Sequence, residues 1–140
     1  MFAYILDANQ QKIDYVNKMA SQRGLEVIVK GAGDEITSDD SIEGWLANFR
    51  DAEYIVTDSF HGSVFSIIFN KVFNVILNTD RGADRMNSLL SMLCLGERLV
   101  YPHQLCDAEQ PKTSIDWQYV NSRVAELKSV AIDFLSEHLC

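Results

Sequence analysis

The sequence predicts an α/β fold, a parallel sheet flanked by helices, over residues 1–140. Three observations carry that expectation. Short apolar runs of strand length alternate with segments whose apolar residues recur at helical spacing. The first strand–helix–strand unit is short, which favours a parallel pair joined by a right-handed crossover. The composition, 47% hydrophobic with only two prolines, is that of a chain that buries a core.

Phe2 to Leu6 reads as a continuous strand, and Asp7, Ala8 and Asn9 supply turn and cap residues. Ile13, Val16, Met19 and Ala20 recur at helical spacing and predict an amphipathic helix from Gln10 to Gln22. Gly24 suits the left-handed position that closes it. Leu25 to Val29 is a second strand, followed by a loop from Gly31 to Glu35. That loop has Gly-x-Gly but Ile36 where a third glycine belongs, and Asp34 and Glu35 would repel a pyrophosphate. Asp40 and Glu43 have capping-box spacing and start a helix through Trp45, Leu46 and Phe49 to Asp51. A third strand runs from Tyr54 to Val56, then an apolar helix from Ser63 to Phe69 and a fourth strand from Phe73 to Leu77. Asn78 to Asp84 is a polar loop, Met86 to Leu93 a helix, and Pro102 to Thr113 irregular. Val120, Val124, Leu127, Ala131 and Phe134 predict a long terminal helix, Asp116 to Leu139, packing on the domain. The expected order is therefore β-α-β-α-β-α-β-α-α.

The net charge of −8 lacks the basic footprint of a nucleic-acid binder, so no nucleic-acid partner is expected. No apolar run approaches the roughly 20 residues of a transmembrane span, and no signal peptide is present. Cys94, Cys106 and Cys140 are odd in number and lack Cys-x-x-Cys spacing. They predict neither a disulfide framework nor a zinc site, and fit idle thiols in a reducing cytoplasm. No His, Asp or Glu set has metal spacing, so neither metal nor cofactor is expected. The N-terminus reads straight into a strand, which predicts a fragment of a longer chain.

In parallel sheets ligands gather beyond the carboxyl ends of the strands. Thr57-Asp58-Ser59-Phe60-His61-Gly62 lies at one such end. Thr57, Asp58 and Ser59 are good N-cap residues, and Gly62 lets the backbone bend or a ligand come close. His61 falls at the start of a helix, where N–H groups and the dipole favour an anion. A bound anion would keep the imidazole protonated and so a general acid. His61 and Asp58 are the candidate catalytic residues, and Ser59 and Gly62 candidate substrate contacts. Ser59 and His61 are not a hydrolytic dyad, because no third partner and no Gly-x-Ser-x-Gly elbow is present. At the next strand end, Arg81 and Arg85 stand four apart around Gly82 and suit a bidentate clamp on carboxylate or phosphate. The alternative is a surface loop in which Asp80 and Asp84 pair with those arginines.

"WLANFRDAEYIVTDSFHGSVFSIIFNKVF" followed by "RGADRMNSLLSMLCLGERL" resembles the polysaccharide pyruvyl transferase family over roughly residues 40–100. The resemblance is specific in Asp58–Gly62 and in the downstream arginine–leucine segment. It implies two Rossmann-like halves facing a cleft, as in GT-B glycosyltransferases, with this chain the C-terminal half and the N-terminal domain of the same chain its partner. It implies pyruvyl transfer from phosphoenolpyruvate to a glycan or lipid-linked sugar of an exopolysaccharide. His61 matches the motif histidine and becomes the acid/base, while Arg85, with Arg81, holds carboxylate or phosphate. Many relatives carry arginine two residues before that histidine, where this chain has Ser59. Two other readings stay open: a GT-B-like glycosyltransferase or sugar-nucleotide enzyme lobe, favoured by selective stabilisation with a sugar nucleotide, and a non-catalytic ligand-binding module, favoured by a buried His61 with no adjoining pocket.

Overall fold

The computed structural model describes residues 1–31, 41–107, 109 and 114–139. The element order is β1 (Phe2–Tyr4), α1 (Gln10–Arg23), β2 (Ile28–Lys30), α2 (Ile42–Asp51), β3 (Tyr54–Thr57), α3 (Phe60–Ile68), β4 (Val72–Ile76), α4 (Ala83–Met92), β5 (Leu99–Val100) and α5 (Trp117–His138). The strands form one parallel sheet in the order β2-β1-β3-β4-β5. The chain steps outward from β1 to β2 and then returns to the other side of β1. That reversal makes the gap between the carboxyl ends of β1 and β3 the topological switch point, where open α/β sheets bind ligands.

Strand alternation sorts the core into two layers. Phe2, Ile55, Phe73 and Val75 face α2, α3, α4 and the start of α5. Ala3, Ile5, Tyr54, Val56 and Ile76 face Tyr15, Val16 and Met19 of α1. On the first face Phe2, Tyr4, Trp45, Phe49 and Phe65 pack edge-on with ring centroids 4.9–5.9 Å apart, the favoured aromatic geometry. On the second, Asn74 Nδ2 donates to Tyr15 Oη at 2.6 Å inside the core, and burial pushes the Tyr15 phenol well above its ordinary pKa.

Several boundaries differ from the sequence expectation for identifiable reasons. A fifth strand, Leu99–Val100, pairs with Val75 and Ile76; two residues after a polar 3-10 turn are too short to show periodicity. Helix α2 is capped by Ser41, whose Oγ accepts from Gly44 N at 3.0 Å, while Asp40 and the loop residues 32–35 lie outside the described residues. Helix α3 starts at Phe60, three residues before the expected Ser63, because Ser59 provides the cap. Helix α4 starts at Ala83, so Arg85 stands on its first turn rather than beyond a loop. The segment read as irregular opens with a 3-10 turn, Pro102–Gln104, and in part lies outside the described residues. Only the first half of α5 packs on the domain: Val120 is buried, whereas Val130, Phe134 and Leu135 are exposed. Cys94 and Cys106 are exposed free thiols, and Cys140 lies outside the described residues. Among the described residues no helix is long and apolar enough to cross a membrane.

Candidate functional site

The β3–α3 turn is built by short-range bonds that leave His61 outside. Thr57 Oγ1 donates to Tyr4 O at 2.7 Å and accepts from Ser59 N at 3.1 Å, tying β3 to β1. Ser59 is buried, and its Oγ accepts from Gly62 N at 3.3 Å as the N-cap of α3. The first-turn N–H groups of Phe60 and His61 have no acceptor within the helix, so they and the helix dipole favour an anion there. Gly62 is buried against Thr57: a Cβ at that position would stand 2.3 Å from Thr57 Oγ1. Its lack of a side chain serves this packing, and it is not among the residues that line the adjoining cleft.

Asp58 points inward. Its side chain is fully buried and joins three segments: Oδ1 accepts from Leu6 N at 2.6 Å, and Oδ2 accepts from Asp7 N at 3.2 Å and Lys12 Nζ at 2.6 Å. Lys12, buried on the first turn of α1, also donates to Asp7 O at 2.8 Å. The carboxylate is thus neutralised and triply bonded, as a buried charge requires. Its negative charge adds to burial in raising the Tyr4 phenol above its ordinary pKa.

A cleft of about 420 Å³ opens at the switch point. Leu6 comes from the end of β1, Asp58 to His61 from the β3–α3 turn, and Asp80, Arg81, Gly82 and Arg85 from the β4–α4 connection. The two clusters read from the sequence therefore share one cavity, of ordinary size for a small-ligand site. His61 is exposed into it. Phe60 touches both His61 and Arg85: the His61 ring meets it edge-on at 6.1 Å, and the Arg85 guanidinium stands over its face at 5.4 Å. Gly82 makes room for that guanidinium. It adopts a left-handed φ of 76°, and a Cβ there would stand 2.9 Å from Arg85 Nε. Among the described residues Arg85 has no carboxylate partner.

Arg81 does have one, but it is neither Asp80 nor Asp84. Its Nε and Nη2 donate to Asp7 Oδ2 and Oδ1 at 2.6 and 3.0 Å, and Asn78 Nδ2 donates to the same carboxylate at 2.5 Å. These bonds, the one from Arg81 foremost, hold the Asp7 carboxyl below the usual carboxylate range, and Asp7 in turn raises Arg81. Sequence reasoning missed Asp7, Lys12 and Phe60. The one signal for Asp7 was its position just past a strand end, the same signal that marked His61.

A second cleft of about 440 Å³ lies beside β5, with Glu97, Asp107 and Glu109 in its lining. Among the described residues its lining holds three acids and no arginine, which suits it poorly to an anion. Among the described residues no group of three or more His, Cys, Asp or Glu is placed to hold a metal ion.

A family model described as "Polysaccharide pyruvyl transferase" matches residues 2–80, more than half of the chain. The matched stretch holds β1 through β4 with Asp7, Lys12, Asp58 and His61, and ends immediately before Arg81. Neither curated proteins nor solved structures gave a match.

Proposed function

The chain belongs to the polysaccharide pyruvyl transferase family, and we propose that its switch-point cleft holds phosphoenolpyruvate for transfer of the pyruvyl group to a sugar diol. The observation that carries this reading is the convergence of an exposed imidazole, a helix start and two guanidinium groups on one cavity. Arg85 and the first turn of α3 take the phosphate. His61 protonates the methylene carbon, leaving a cation at the adjacent carbon that bears phosphate and carboxylate. A sugar hydroxyl attacks that carbon and gives its proton to the imidazole. The carbon–oxygen bond to phosphate then breaks, and a second hydroxyl closes the ketal as its proton leaves with the phosphate. The products are a pyruvate ketal and inorganic phosphate, with no net redox change.

Asp58 we assign to positioning rather than proton transfer, since its oxygens are already bonded to Leu6, Asp7 and Lys12. Ser59 and Gly62 act in the same way, by shaping the turn that presents His61. On this reading the acceptor glycan, or a lipid-linked sugar, approaches from the open side of the cleft, and a facing lobe of a larger enzyme completes the site.

The test is phosphate release from phosphoenolpyruvate by the protein together with its facing lobe, in the presence of a glycan acceptor; this chain alone should be inactive. His61→Gln should lower turnover by roughly 10²–10⁴-fold, the usual worth of a general acid–base. Arg85→Gln should weaken phosphoenolpyruvate binding. Undiminished turnover in His61→Gln, with the fold intact by circular dichroism, would overturn the reading. Tighter binding of a sugar nucleotide than of phosphoenolpyruvate would move the cleft to glycosyl transfer.

A further inference from the structure

Phosphoenolpyruvate carries two anionic groups, and the cleft offers two arginines in different states. Arg85 rests only on the Phe60 ring and is available to a ligand. Arg81 is already occupied by a carboxylate, and the manner of occupation is informative. Nε and Nη2 meet the two oxygens of Asp7 side-on, the planar fork by which arginine recognises a carboxylate. Arg81 lines the cleft and Asp7 does not. Both side chains are substantially exposed, 54% for Arg81 and 42% for Asp7, so water competes for the pair.

Resting on the reading above, we propose that Asp7 keeps the place of the substrate's carboxylate on Arg81, and that a carboxylated enol phosphate displaces it on binding. The exchange conserves charge: one guanidinium–carboxylate pair breaks and an equivalent one forms. Asp7 is not stranded, because it keeps the bond from Asn78 and lies in the field of Lys12. Until the substrate arrives Asp7 holds the guanidinium, and so competes with the substrate's carboxylate for it. Arg81 then reads the carboxylate, and Arg85 with the start of α3 reads the phosphate. This makes Arg81 the residue that separates a carboxylated enol phosphate from phosphate alone. It also gives this chain a carboxylate contact that Ser59, buried as a helix cap, cannot supply.

The experiment is titration calorimetry with phosphoenolpyruvate and with inorganic phosphate on the wild-type protein and on Asp7→Asn, Arg81→Gln, Arg85→Gln and the Asp7→Asn/Arg81→Gln double variant. Asp7→Asn should tighten phosphoenolpyruvate several-fold and leave phosphate unchanged. Arg81→Gln should weaken phosphoenolpyruvate roughly ten-fold, the loss of one charged fork, with phosphate again unchanged. In the double variant the gain from Asp7→Asn should vanish. If Asp7→Asn leaves phosphoenolpyruvate affinity unchanged or weaker while its thermal unfolding matches wild type, or if both ligands shift together, the exchange is wrong. Loss of both ligands in Arg85→Gln alongside such a result would keep the cleft reading and remove only the exchange. No binding of phosphoenolpyruvate to wild type would remove both.

Discussion

At the scale of single residues the site depends on two ion pairs of opposite character. Lys12–Asp58 is buried and multiply bonded, and Arg81–Asp7 is exposed. Removing one partner of a buried pair leaves the other charge without compensation, which typically costs about 3–5 kcal/mol. Lys12→Met should therefore lose that much stability in urea unfolding at neutral pH. A loss below about 1 kcal/mol, in the range of surface pairs, would contradict the role given to Asp58. Acid should act on the exposed pair. Because Asp7 is depressed in the folded protein, its contribution is full above the ordinary aspartate value of about 3.9 and is lost as pH falls through that value toward the lower one. Wild-type and Asp7→Asn stability curves should converge in that acid window, and a constant gap down to pH 2 would show that the pair contributes nothing. The placement of His61 and Arg81 beyond strand ends was legible in the sequence, whereas Arg85 stands on the first turn of α4. Ser59 was legible as a cap, whereas Asp58 was legible as a turn residue but not as an inward staple. Lys12 and Asp7 were not legible, since their partners stand 46 and 74 residues away.

At the scale of elements, the start of α3 is set by how closely it approaches β3. Gly62 packs on Thr57, whose hydroxyl links β1, β3 and the helix cap. Gly62→Ala should push Thr57 aside and cost about 1–3 kcal/mol, as overpacking in a tight core does, with a thermal melt as the measure. An unchanged melting temperature would mean that the turn has slack. The cap residues and the position of His61 at a helix start were readable in the sequence, although the helix was bounded at Ser63; the cap at Ser59 begins it at Phe60. The periodicity of α5 correctly gave a helix but not its partner: Val120 is covered by the domain and Phe134 is not, although both fit one repeat. Periodicity reports which side of a helix is apolar, not what lies against it.

At the scale of the whole molecule, parallel strands and crossover helices were readable from alternating patterns, whereas the strand order was not. That order is what brings β1 beside β3 and so sets Asp7 and Lys12 against the turn that presents His61. The fold supplies a cleft in which Asp58 is paired with Lys12 and Arg81 with Asp7, and which His61, Arg85 and a helix start face. Proton NMR of the histidine rings during titration with phosphoenolpyruvate reads that arrangement. The three rings, at positions 61, 103 and 138, are assigned by single replacement with glutamine. The His61 signal alone should show a saturable shift, abolished by Arg85→Gln. A His61 signal that stays still, or moves in step with the other two, would contradict it.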